Sequence, residues 1–177
     1  MTAQQRTYSR ISTRLKAYIR KLASPDSKPL FTGCLAGELD PSMLKNLQGV
    51  HIPRDLVVFL HNMDRKLDMI LSLLRQDSLQ EDFPIRAEVV EISGAGLKFV
   101  SKERFDEEQA LELAIILSQF PLRVVGAVGY VLRLESVRNI PIYVETFTNI
   151  RDLDRENIVQ FVFQEQREQI RERKNEF

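Results

Sequence analysis

The stretch Glu91-Ile92-Ser93-Gly94-Ala95-Gly96 joins an apolar run ending at Ile92 to another that begins at Leu97. Two glycines around one alanine make a tight connection, because glycine tolerates a positive φ that other residues avoid. The stretch therefore reads as a hairpin between a strand over Ile85 to Ile92 and a strand over Gly96 to Ser101. Residues two apart on a strand project from one face. Glu91 and Ser93 thus present a carboxylate and a hydroxyl side by side at the mouth of the turn. Such a place suits a polar ligand.

Working outward, Leu111 to Leu117, Leu122 to Leu132 and Ile140 to Phe147 are further strands. Each is short, rich in Val, Ile and Leu, and bounded by turn signals such as Gln119-Phe120-Pro121 and Arg138-Asn139. Upstream, Leu15 to Leu22 reads as a first strand, with Leu15, Ala17 and Ile19 on one face. Residues Met1 to Ser12 look polar and mobile, and Ser24 to Pro29 breaks the first strand. The connections are too short for parallel crossovers, so the sheet is antiparallel. Six strands in a chain of 177 residues favour a small barrel or a strongly curled sheet. Asp152 or Asp154 caps a final helix, residues 152–174, which docks through Ile158, Phe161 and Val162.

Between the first and second strands the pattern changes to helical. Asp40-Pro41 starts a short helix to about Leu47. A second helix opens at Pro53 and runs to Arg75. In it Leu56, Leu60, Met63, Leu67, Ile70 and Leu74 recur at intervals of 4, 3, 4, 3 and 4, a heptad seam. Leucine at one core position with isoleucine at the other leans toward trimers or tetramers over dimers. The stripe serves either self-association or packing on its own domain. The strictness of the seam, widened by Val57, Phe59, Leu71 and Leu73, favours a homo-oligomer.

Composition narrows the function classes. Basic and acidic side chains number 25 each, so net charge gives no argument for a nucleic-acid polymer. Arg6, Arg10, Arg14, Lys16, Arg20 and Lys21 stand within the first 25 residues without an acidic neighbour, as a recognition element or a solvated basic tail. Cys34 is the single cysteine, which excludes an intrachain disulfide and a cysteine metal cluster. No apolar segment follows Met1 and no run reaches the length of a membrane span, so a cytoplasmic protein is expected. There is no Walker loop, no Gly-x-Ser-x-Gly elbow and no His-Glu-x-x-His helix. His51 and His61 are isolated. The sequence offers no catalytic set, no metal site and no cofactor site, and an enzyme is not expected.

The residues that combine are Arg6-Thr7-Tyr8-Ser9-Arg10, an Arg-x-x-x-Arg followed by Ile11, and the carboxylate-x-Ser-x-x-Gly of Glu91 to Gly96. In this order on a six-stranded barrel they resemble the PilZ family of cyclic di-GMP receptors. The resemblance extends to residues 122–133, 144–150 and 155–171 and leaves out the segment between Leu22 and Phe83. Arg10-Ile11-Ser12-Thr13-Arg14 is a second Arg-x-x-x-Arg. Arg6 with Arg10 fits better, since a β-branched residue follows the second arginine in the family pattern, and Arg14 is the alternative.

The resemblance implies a mainly β fold. Residues 1–177 would form one domain, with 23–83 a helical insertion and 152–174 a C-terminal helix. It implies cyclic di-GMP as ligand, held by Arg6, Arg10, Glu91, Ser93 and Gly96. The arginine forks would meet phosphate oxygens and guanine edges, and Glu91 would accept from guanine N–H groups. Glu91 stands where the family has Asp or Asn. The arginine tail would order when ligand arrives and pass the change to a downstream protein. A second reading is a degenerate member that no longer binds nucleotide and works as an oligomeric scaffold or adaptor.

Overall fold

The computed structural model describes residues 8–31, 53–119 and 122–175. Its strands are β1 (Arg10–Lys21), β2 (Ile85–Ser93), β3 (Gly96–Ser101), β4 (Ala110–Gln119), β5 (Leu122–Val137) and β6 (Ile140–Ile150). They pair antiparallel in the order β1-β2-β3-β6-β5-β4, and β4 returns to β1 to close a barrel. Helix α1 (Arg54–Asp82) lies between β1 and β2 in the chain, and α2 (Asp152–Asn175) follows β6. The expected mainly β, six-stranded antiparallel barrel with added helices is the observed architecture.

Alternation along the strands builds the core. Ile11, Ala17 and Ile19 of β1, Val89 and Ile92 of β2, and Leu97 and Phe99 of β3 belong to one buried cluster with Leu111, Leu113 and Ile115 of β4. Phe99, Phe105 and Tyr143 pack ring on ring inside it, with centroids 5.1 to 5.4 Å apart. Ile158 and Val162 join the same cluster, which docks α2 on the barrel through the residues expected to do so.

β4 is buried on both faces, which explains its unbroken apolar run. Its outward Ala114 and Ile116 meet Tyr18, Leu79, Phe83 and Val124. On the same strand buried Glu112 pairs with Arg20 and accepts the backbone N–H groups of Leu30 (2.7 Å) and Phe31 (2.8 Å). The segment after β1 is thereby pinned to the barrel.

The largest departures from the sequence reading lie at the ends of elements. β1 begins at Arg10, so residues 10–12 belong to a strand and not to a mobile tail. Ile11 is buried opposite Ile92, and this contact extends the ladder. α1 continues past Arg75 to Asp82, because Leu79 and Phe83 dock its last turn on the outer face of β4. β5 runs on past Leu132 to Val137, because Arg138 and Asn139 both take positive φ (51° and 64°) and close a two-residue hairpin to Ile140, where β6 begins as expected. The short helix from Asp40, Cys34, His51 and Arg6 lie outside the described residues. No helix among the described residues is long and apolar enough to cross a membrane, and they contain no cluster able to hold a metal ion.

Candidate functional site

The β2–β3 connection is the two-residue turn Gly94-Ala95, with Ser93 opposite Gly96. Neither turn residue takes a left-handed φ. The glycines serve close approach instead. A β-carbon on Gly96 would stand 2.2 Å from the Glu145 carbonyl oxygen of β6, and one on Gly94 would stand 2.6 Å from the Tyr8 ring. The expectation that positive φ requires these glycines is corrected: a neighbouring strand and a ring do.

The turn is held at each carbonyl. Arg155 of α2 donates to the Gly94 oxygen (2.9 Å), the Phe147 N–H to the Ala95 oxygen (2.9 Å), and the Ser93 hydroxyl to the Gly96 oxygen (3.0 Å). Ser93 Oγ also accepts the Ala95 N–H at 3.3 Å, and its residue is buried. Ser93 therefore fixes the turn from within.

β1 brings its arginine to this turn. Arg10 is the register partner of Ser93, and Ser12 that of Glu91, so Arg10 and Glu91 are diagonal neighbours on the outer face. Their side chains lie 3.6 Å apart, with Arg10 half exposed. A bulge between Ser12 and Leu15 then turns Arg14 away, and its guanidinium reaches Glu88 at 4.0 Å. Arg10, Glu91, Ser93 and Gly96 are thus assembled at one place and Arg14 is not among them.

Three contributors were not legible in the motifs. Tyr8 lies against Gly94, with Arg155 over its ring at 5.7 Å from the centroid and 3.5 Å from its hydroxyl. Gln166 donates to the Arg10 carbonyl at 3.3 Å, tying the start of β1 to α2. A cation in the first turn of a helix that ends the fold was the one available hint for Arg155.

Behind the turn, Glu145 of β6 is buried with neither carboxylate oxygen hydrogen-bonded. Burial pushes its carboxyl well above the ordinary glutamate range. Gly129 leaves room for it, since a β-carbon there would stand 2.7 Å from Glu145 Oε1. Alternation had carried the signal: Tyr143, Glu145 and Phe147 share one face. Just ahead of α2, Arg151 donates to buried Asp154 of that helix at 2.7 Å. Desolvation raises the Asp154 carboxyl even so, with Arg151 opposing it.

No family model matches the sequence, and no curated protein matches it either. Solved structures do. A tetrameric PilZ domain protein of Xanthomonas campestris, self-assembled via an unusual helical bundle, matches with 20% identity and a TM-score of 0.54, over 93% of this chain and 92% of its own. YcgR of Escherichia coli in complex with c-di-GMP matches with 14% identity and a TM-score of 0.53, over 98% of this chain and 50% of its own. The Bacillus subtilis inhibitor of motility MotI/DgrA matches with 15% identity and a TM-score of 0.52, over 92% of this chain and 51% of its own. The chain thus spans about half the length of YcgR and of MotI/DgrA and nearly all of the Xanthomonas chain. By its fold, this chain is a PilZ-like domain.

Proposed function

We propose that the chain is a cytoplasmic receptor for cyclic di-GMP that binds at the β2–β3 turn and signals to a partner protein. The observation that carries the reading is the convergence of Arg10 and Glu91, 3.6 Å apart, on a turn whose carbonyls are already bonded. A ligand here meets a fixed platform and an exposed guanidinium, with no reorganisation of the turn required. Arg10 supplies a planar fork for a phosphate or a guanine O6/N7 edge. Glu91 accepts from guanine N–H groups, and Gly96 keeps the backbone bare. Arg6, on the segment before β1, closes over the ligand, and the ordering of that segment is the signal. Because Arg10 already sits in β1, the change is confined to residues ahead of it. No bond is made or broken, so the protein acts as a sensor.

Calorimetric titration with cyclic di-GMP tests this. Binding at tens of micromolar or tighter is expected. Arg10→Ala removes a charged hydrogen-bond partner and should weaken binding by about 10- to 100-fold. Absence of heat with the wild-type protein at that concentration would refute the reading.

A second, compatible reading is assembly through α1. Leu56, Leu60, Met63, Leu67, Ile70 and Leu74 are 44 to 64% exposed, although they form a strict heptad seam. The Xanthomonas neighbour assembles through a helical bundle. A trimer or tetramer of this chain with the seams facing inward would cover these residues, and the protein would then act as an oligomeric scaffold whether or not it binds nucleotide. Light scattering should give three or four chains for the wild type and one for Leu67→Asp.

A further inference from the structure

Tyr8 stands midway between Arg6 and Arg10 in sequence, ahead of β1. It belongs to none of the buried clusters, so the fold does not need its ring where it lies. Yet the ring covers the bare Gly94 peptide closely enough to exclude a β-carbon, at 2.6 Å from Cδ1. The Arg155 guanidinium lies over the same ring, 5.7 Å from its centroid, and bridges the Tyr8 hydroxyl and the Gly94 carbonyl. Arg10, the register partner of Ser93 next to Gly94, pairs with Glu91 at 3.6 Å on the same strands.

A flat ring laid on a side-chain-free peptide, with a cation over its face and hydrogen-bonding groups at its edge, is how a purine base would be held. Since Gly94 does not take a left-handed φ, its missing side chain is explained by the ring that approaches it. We propose that Tyr8 occupies the place of a guanine base in the unliganded protein and that Arg155 stacks on whichever ring is there. The ligand expels Tyr8 and inherits its contacts with Gly94 and Arg155. This inference rests on the cyclic di-GMP reading and adds two residues to it, one that competes with the ligand and one that receives it.

The two residues therefore carry opposite signs, which a shared structural role would not produce. Titration of the full chain with cyclic di-GMP should show Tyr8→Ala binding about five-fold tighter than wild type and Arg155→Ala about ten-fold weaker. Tyr8→Phe keeps the ring and should bind within about two-fold of wild type. If the wild type binds and Tyr8→Ala is unchanged or weaker, or if Arg155→Ala is tighter, this inference is overturned and the receptor reading stands. If the wild type does not bind, both readings fall.

Discussion

At the scale of single residues, Glu91 is one methylene longer than the Asp of the PilZ pattern that the turn resembles. The extra reach is spent on Arg10, 3.6 Å away. A half-exposed pair of this kind contributes little stability, about 0 to 1 kcal/mol, but on the cyclic di-GMP reading a ligand would have to break it to use either group. Glu91→Asp shortens the carboxylate and loosens that pair, so cyclic di-GMP affinity should stay equal or rise by up to about ten-fold, read by the same titration. Glu145 obeys a different rule. Its folded-state pKa is raised, so its contribution to stability is fully present below the ordinary carboxylate range and is lost as pH rises through the raised value. Thermal melts of the wild type should therefore fall as pH rises above the ordinary carboxylate range, and those of Glu145→Gln should fall less. Glu145→Leu should be more stable by about 1 to 3 kcal/mol near pH 8, or roughly 2 to 4 °C for each kcal/mol. Arg10, Glu91, Ser93 and Gly96 were legible because each lies in a short motif whose spacing the strand period preserves. Tyr8 with Arg155 was not, because docking of α2 beside the turn joins positions 147 apart in sequence.

At the scale of elements, a helix with a seam on one side normally finds its partner within its own domain. α1 does so only at its root. From Arg54 to Ser78 its described side chains are exposed, and burial begins at Leu79. That free part is about 37 Å long. An isolated helix is only marginally stable in water, and most helical stability in proteins comes from packing of an apolar face. On the assembly reading that packing comes from other copies, so the melting temperature should rise with protein concentration, and Leu67→Asp should abolish the dependence. The seam was readable because a heptad declares itself within its own segment. The end of the helix was not, because Leu79 and Phe83 are fixed by Tyr18, Ala114 and Ile116 on distant strands. The Asp77-Ser78 pair, which looks like a stop, simply faces solvent.

For the molecule as a whole, the question is whether the turn and the bundle communicate. A physical route exists. Arg155 at the turn adjoins Asp154, which binds Arg151, and Arg151 lies over the Phe31 ring at 5.7 Å from its centroid. Phe31 packs against the cluster that contains Leu79 and Phe83, the root of α1. Adjacency along such a route is not coupling, which requires an element with two arrangements that both ends bias. The root is rigid by its own packing: Glu112 holds the backbone of Leu30 and Phe31, and the outer face of β4 holds Phe83 almost fully buried. The seam above Ser78 touches no part of the barrel, and the turn is built from β1, β2, β3, β6 and α2. Removing the assembly should therefore leave each site as it was. Monomeric Leu67→Asp is expected to bind cyclic di-GMP within about two-fold of the wild-type value per chain, since no differential contact at the turn is lost. A change of more than about five-fold, or roughly 1 kcal/mol of coupling, would instead place Phe31 between two states, and Phe31→Ala should then erase the difference.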